Sequence, residues 1–239
     1  MDILSRTIDV LPTYMQPLGV TLMVGVLGSL GALVLAFVLG LGTGSRFLII
    51  RGIARTIVEF FRGTSLVVQL FWFAFAMPLI FGFTFDYVVI AGVLAMSLNF
   101  GAYGSEIVRG AIGAVPKGQY EACTAVNLGY WTRMRRVIIP QAWPEMIPPM
   151  STQAIHLLKS TSLVSMVGIV DITSRARALG ARPDQDILFH MGLILVIYFI
   201  LASLVSYGMR ALERQAKRNV GKTPVATKNV AVAGQGMVK

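Results

Sequence analysis

Glu121, Ala122 and Cys123, with Pro140 nineteen residues after the glutamate, stand in an arginine-rich stretch between two apolar segments. Their chemistry is mechanical rather than covalent. Pro116 suits the first position of a helix, where its missing N–H costs nothing. Gln119 to Leu128 then reads as a short helix with Glu121 near its positive end, where a carboxylate gains roughly 0.3–1 kcal/mol. Ala122, Cys123 and Ala125 are small enough to let another surface come close. The helix is expected to end at Asn127-Leu128-Gly129, because Asn and Gly tolerate the left-handed turn that closes a helix. Tyr130 to Ile139 is expected to form a second short, basic helix stopped by Pro140. A small helix pair of this kind is a lever for a partner to push.

A second set of polar residues lies inside apolar sequence. Asn99, Tyr103 and Glu106 are spaced four and then three apart, which puts them on one face of a helix. Gln153, His156 and Ser160 share another face, with Lys159, Thr161 and Ser162 beside them. A polar residue deep in a membrane helix is a candidate for a substrate pathway or gate. Glu106 is expected to pair with Arg109, three residues on. Asn99 has two readings, a helix–helix hydrogen bond or a substrate contact. Lys159 must face a cavity or water, or snorkel to an interface; it reads equally as a gating residue and as a contact to a neighbouring helix. His156 alone reads as a satisfied interior histidine, and His190 as a packing residue. Glu59 and Arg62, three apart, form a surface pair or an intracellular gate. Asp184 and Asp186, beside Arg182, read as a solvated loop.

Covalent chemistry has little to work with. Two histidines far apart and one cysteine assemble neither a metal site nor a Ser–His–Asp arrangement. No G-x-x-x-x-G-K-[ST] loop is present to hold ATP. The chain is expected to bind no cofactor or metal and not to be an enzyme.

The elements that position these residues follow from composition. Of 239 residues, 55% are hydrophobic and 13% charged, with a mean hydropathy of +0.71. Five apolar segments stand out, at about Leu18–Leu41, Thr64–Phe81, Tyr87–Val108, Ala142–Val170 and Ile187–Met209. About 20 apolar residues span hydrocarbon as a helix, and continuous runs argue against a β-barrel. The fold class is therefore an all-α integral membrane protein of about five transmembrane helices. The fourth segment is expected to break near Pro144, Pro148 and Pro149. The first is too long for a signal-peptide core.

The net charge of +10 marks topology rather than nucleic-acid binding. With the N-terminus outside, the inner loops hold Arg46, Arg51, Arg55, Arg62, Arg109, Lys117, Arg133, Arg135 and Arg136, and the tail from Arg210 onward adds more. Only Arg6, Lys159, Arg175, Arg177 and Arg182 then lie outside. The expected organisation is an extracytoplasmic segment over 1–17, a membrane domain over 18–210 with an inner loop at about 110–140, and a basic, disordered cytoplasmic tail over 211–239. Gly25, Gly28 and Gly31 form a face for close helix packing in lipid.

Five short runs give the chain a family resemblance. Ala102-Tyr103-Gly104-Ser105-Glu106-Ile107-Val108-Arg109-Gly110 is similar to the "AY-SEI-RG" run of polar amino acid permeases. Gly118-Gln119-Tyr120-Glu121-Ala122 resembles their "GQ-EA", Ile139-Pro140-Gln141-Ala142 their "LPQA", and Lys159-Ser160-Thr161-Ser162-Leu163 their "K-TSL". Arg62-Gly63-Thr64 with Gln69 is similar to "-RGTP-L-Q". The runs occur in the family's order across about residues 18–210, and the Glu121–Pro140 spacing resembles the EAA loop of bacterial type I ABC importer permeases. Three positions depart from the pattern: Cys123 stands where Ala is usual, Asn127 where the turn has Gly, and Ser65 where Pro is usual.

The resemblance implies a permease subunit in the bacterial inner membrane. It implies a cytoplasmic ABC ATPase dimer docked on the loop through Gly118, Glu121, Ala122, Cys123, Asn127, Gly129 and Pro140, with ATP used by that partner. It also implies a second permease subunit, the same or a sister chain, an extracytoplasmic solute-binding protein, and contact with membrane lipid. The implied cargo is polar amino acids or related zwitterions, including opines and ectoine-like compatible solutes. The alternative is an ATP-independent secondary carrier or channel for small polar solutes.

Overall fold

Between Thr13 and Arg46 no residue is charged. This run becomes one helix, α2 (Pro12–Thr43), in the computed structural model of the chain, which describes residues 3–82, 88–182 and 186–219. Its 32 residues, at about 1.5 Å each, are longer than a hydrocarbon core of about 30 Å. A short helix, α1 (Ile3–Val10), precedes it within the expected outer segment. The chain continues through α3 (Leu48–Gly63) and α4 (Leu66–Phe71), then a π turn (Trp72–Ala76) into α5 (Met77–Phe81). The long helix α6 (Val88–Gly113) follows, then the hairpin of α7 (Lys117–Ala125) and α8 (Tyr130–Arg133). A second π turn (Met134–Ile138) leads into α9 (Ile139–Ser160), a 3₁₀ stretch (Thr161–Val167), α10 (Ile172–Gly180) and α11 (Ile187–Asn219).

Helices α2, α6 and α11 are long and apolar enough to cross a membrane. Two bent pairs bring the number to five if each is one span: α3 with α4–α5, bent by 103°, and Tyr130–Val167 with α10, bent by 55°. The described residues contain no strand. Lipid forces this outcome, because every backbone N–H and C=O within it must find its partner inside the protein.

Close approach of α2 and α6 organises the bundle. A Cβ on Gly101 would lie 2.6 Å from Leu35 Cβ, and one on Gly40 would lie 2.8 Å from Val108 Cβ. Gly28 meets Met96 and Gly31 meets Ser97, while Gly25 faces Thr161 and Leu158. The small-residue face therefore packs as its spacing indicates. The interior divides in two. One cluster joins Val24, Leu70, Met96, Leu157 and Val164. The other joins Val108, Ala111, Met134, Ile138 and Met146 at the Thr43 end of α2.

Four elements differ from the sequence-based expectation. Residues 48–63 are not loop but α3, strongly two-faced, burying Ala54 and Val58. Four arginines over 46–62 mask that pattern in a hydropathy profile. Pro140 does not stop a helix: the chain stays helical from Tyr130 to Val167. The Ile139 N–H already reaches back five residues to Met134 O, so the ladder is shifted just where Pro140 lacks its donor, and the wider turn gives its ring room. Pro144, Pro148 and Pro149 likewise lie inside α9 and do not break it, as apolar surroundings allow. Finally, α11 runs to Asn219, so 211–219 of the expected tail is helical. Tyr87, Asp184 and residues 220–239 lie outside the described residues.

Candidate functional site

The α7–α8 hairpin is built around its turn. Asn127 takes a left-handed backbone conformation, φ 53°. The Leu128 N–H donates to Cys123 O at 2.9 Å and the Asn127 N–H to Thr124 O at 3.0 Å. This is the paired closure of a Schellman motif, which satisfies the last carbonyls of α7. Asn replaces Gly here at a small cost, because its short polar side chain tolerates that region. Pro116 is the residue before the helix rather than its first residue. Glu121 therefore falls in the second turn, beyond the first-turn positions where the dipole favours a carboxylate, which corrects that part of the expectation.

Cys123 is buried and turns inward. Tyr120 donates its hydroxyl to Ile112 O at 3.1 Å, and Gln141 Nε2 donates to Gln119 Oε1 at 3.0 Å. The Arg133 guanidinium lies 5.6 Å from the centre of the Tyr120 ring and 5.8 Å from that of Tyr130. Burial pushes the Tyr120 phenol above its ordinary pKa, against the opposing charge of Arg133. These contacts tie the hairpin to the bundle. Its other side is open: Gly118, Glu121, Ala122, Ala125 and Val126 are exposed, three and four apart on one face. Trp131, 78% exposed, flanks them. Gly129 precedes α8 in extended conformation. A face of small apolar residues with one carboxylate, held rigidly from behind, suits a groove in another protein.

The second centre is the break between α3 and α4. The last carbonyls of a helix have no partner within it, and here polar side chains supply them. Thr64 Oγ1 donates to Phe60 O at 2.9 Å. Asn99 Nδ2 and Gln69 Nε2 both donate to Phe61 O, at 3.1 and 3.0 Å. Tyr103 donates its hydroxyl to Arg62 O at 3.2 Å. Asn99 thus makes the helix–helix bond that was one of its two readings, and Gln69 shares the work with a 2.7 Å bond to Thr64 Oγ1. Arg62 folds over Tyr103, 5.4 Å from the ring centre.

Around this break the polar residues separate into two groups. Glu106 pairs with Arg109, as their spacing indicates. Gln153 donates to Phe100 O and packs against Gly104. Thr161 is buried, donates to Leu158 O at 2.7 Å and lies 3.3 Å from the Tyr198 hydroxyl. Ser162 Oγ donates to Lys159 O at 2.9 Å. His190, as expected, is buried, 2.9 Å from the Tyr14 hydroxyl through Nδ1. By contrast, His156 and Lys159 are exposed, in line with Glu145, Pro148, Pro149 and Thr152 along one side of α9. A charged stripe on a membrane helix faces water or protein rather than lipid.

The stripe is separate from a cleft of about 610 Å³ that is lined by Leu30, Leu33, Trp143, Ile147 and Leu212 and is almost wholly apolar. No group of three His, Cys, Asp or Glu able to hold a metal occurs among the described residues. Arg62 and Gln69 stand in the run similar to "-RGTP-L-Q", but their part in the break is not legible from sequence, because the carbonyls they serve or carry lose their helical partners only where α3 ends.

Comparison with known proteins places these features in a group. Residues 32–218 match the family described as binding-protein-dependent transport system inner membrane component. A probable amino-acid ABC transporter permease of Sinorhizobium fredii is 43% identical, over 86% of this chain and 89% of the relative. The Bacillus subtilis arginine transport system permease ArtQ is 35% identical, over 90% and 97%. The L-cystine permease TcyB of the same species is 37% identical, over 84% and 86%. Among solved structures, an amino acid ABC transporter crystallised with histidines superposes with TM-score 0.80 at 30% identity, over 90% of this chain and 99% of that one. The inward-facing MetNI methionine transporter shares the fold, with TM-score 0.67 at 19% identity, over 87% and 95%.

Proposed function

The chain belongs to the binding-protein-dependent transport system inner membrane component family, and from that premise we propose that it is the multi-pass permease subunit of an ATP-driven importer for polar amino acids or related zwitterions. The observation that carries the mechanism is the exposed face of α7, Gly118–Glu121–Ala122–Ala125–Val126, on a hairpin fixed from behind by Cys123, Tyr120 and Gln119.

In this reading the N-terminus is outside, and the hairpin, the Thr43 end of α2 and the C-terminus of α11 are cytoplasmic. A separate ATPase dimer grips the two hairpins of a permease pair. Closure of the ATPases moves each hairpin as a lever. Because the chain is continuously helical from Tyr130 to Val167, displacement at the hairpin reaches the stripe of Thr152, His156 and Lys159 on the same rigid element. Two permeases rocking against each other then expose the pathway alternately to each side. This chain supplies the path, and the partner supplies the ATP chemistry. A solute-binding protein delivers cargo from outside, and the second permease is a copy of this chain or a sister.

Purification of the tagged chain from its native membrane in mild detergent, followed by uptake in proteoliposomes, tests the reading. Recovery of an ATPase subunit and uptake that stops without ATP are the expected results. Recovery of a folded chain alone, with uptake indifferent to ATP, would replace the importer with an autonomous carrier.

A further inference from the structure

Helix α3 carries its charges in a line. Arg51, Arg55, Glu59 and Arg62 are spaced four, four and three apart and share one face. Ile49, Ile53 and Phe60 occupy another, exposed face, and Ala54 and Val58 are buried between the two. The helix climbs along α2 and α6. Its Ala54 meets Gly42, near the Thr43 end of α2, whereas its Phe61 carbonyl meets Asn99, close to the middle of α6. Arg62 is thereby carried to mid-span depth.

The guanidinium of Arg62 makes no ion pair among the described residues. Glu106, an acid within its electrostatic reach, is bonded to Arg109, and Arg55 also acts on it; Glu59, three residues before Arg62 on the same face, is not joined to it by any ion pair among the described residues. Arg62 Nε is withdrawn from solvent with no hydrogen-bond partner. A cation at this depth needs an anion or water beside it, and a buried donor without an acceptor needs an explanation. Tyr103 holds the group in place twice over, bonding its backbone carbonyl and lying beneath its guanidinium. The planar fork of an arginine fits a carboxylate with two parallel bonds.

We propose that Arg62, positioned by Tyr103, receives the carboxylate of the transported solute at mid-membrane. The site makes the chain selective for carboxylate-bearing zwitterions over the corresponding amines. Glu59 follows Arg62 on the same face and Arg55 and Arg51 lie beyond it, so a departing carboxylate passes one acid before it meets further cations toward the hairpin end of α3. This proposal rests on the permease reading above.

The test uses the complete complex in proteoliposomes, supplied with a radiolabelled mixture of the common amino acids and, separately, with agmatine, the amine left when arginine loses its carboxylate. The wild type is expected to import at least one amino acid and to leave agmatine outside. For the best-imported amino acid, Arg62→Gln should raise KM about ten- to a hundredfold, the scale of a lost charge-assisted pair. Arg62→Lys should recover part of that loss. Tyr103→Leu, which keeps the charge but removes its support, should also raise KM and leave the maximal rate near wild type. It serves as the second variant if Arg62→Gln fails to accumulate. An unchanged KM in an Arg62→Gln or Tyr103→Leu complex that still co-purifies with its ATPase would overturn the proposal. So would an ATPase-bound wild type that carries agmatine as well as amino acids, or carries no amino acid at all. A wild type that recovers no ATPase and shows no ATP-dependent uptake would instead remove the permease reading, and the proposal with it.

Discussion

Removing the amides that close α3 tests whether Asn99 is a structural residue. Phe61 O accepts from both Asn99 Nδ2, at 3.1 Å, and Gln69 Nε2, at 3.0 Å. Both side chains are about 5% exposed. Asn99→Leu leaves the carbonyl with one donor, so its cost is that of a single interhelical bond in a membrane, about 0.6 kcal/mol and at most about 1.7. Gln69→Leu loses the bond to Phe61 O and the 2.7 Å bond to Thr64 Oγ1, about 1–2 kcal/mol. The double variant strips Phe61 O of both side-chain donors. It should therefore exceed the sum of the singles by about 1 kcal/mol, the penalty of an orphaned buried carbonyl beyond two lost bonds. Unfolding of the purified chain by SDS in mixed micelles, monitored by tryptophan fluorescence, reads all three values. Strict additivity would refute the shared-acceptor reasoning. An Asn99→Leu variant of wild-type stability but raised KM would show that the amide is spent on the solute instead.

Three further outcomes follow from the hairpin and from α9. Glu121→Arg should reduce ATP-dependent uptake by about tenfold or more while membrane insertion is unchanged, because the reversed charge lies on the exposed docking face; normal uptake would sink the docking assignment. Asn127→Val places a β-branched residue at φ 53° and should destabilise the hairpin by at least about 1 kcal/mol, whereas Asn127→Gly should be neutral or slightly stabilising; hydrogen exchange of the α7 amides distinguishes the two. Lys159→Ala should alter uptake more than folding, since its exposed ammonium makes no hydrogen bond or ion pair among the described residues; loss of accumulation with no separable transport defect would assign Lys159 to packing.

Legibility differs between the elements for physical reasons. α2, α6 and α11 are marked by apolar length, which the bilayer demands of any span. Asn127 and Gly129 are readable as a turn because few residues tolerate what a helix end requires. Glu106 with Arg109 is readable because three residues in a helix is a contact distance. The errors occur where one residue type answers two demands. Arginine marks the inner side of a membrane, and that use hid the amphipathic helix on which Arg51, Arg55 and Arg62 sit. Proline breaks helices in water, and that rule misplaced breaks at Pro140 and Pro144. In α9 the ladder is shifted before the first ring arrives. Asn99 could not be resolved from sequence, because its acceptor, Phe61 O, exists only once α3 is seen to end beside α6.

The charges on α3 also limit what can surround this chain. Its apolar face of Ile49, Ile53 and Phe60 is at ease against lipid or a neighbouring helix, but Arg62, at mid-span depth on the charged face, is not. The stripe of His156 and Lys159 on α9 is equally unsuited to hydrocarbon. A single copy surrounded by lipid would leave both surfaces in the wrong medium. Burying them against well-matched protein would satisfy the charges but close the path. In the proposed permease pair, an aqueous space between this chain and a second subunit would satisfy both requirements: it would hydrate Arg62 when empty and let a carboxylate displace that water when full. Substituting leucine at His156 and Lys159 together should then preserve the fold of the isolated chain while lowering uptake. Wild-type uptake by that variant would place the stripe outside the pathway.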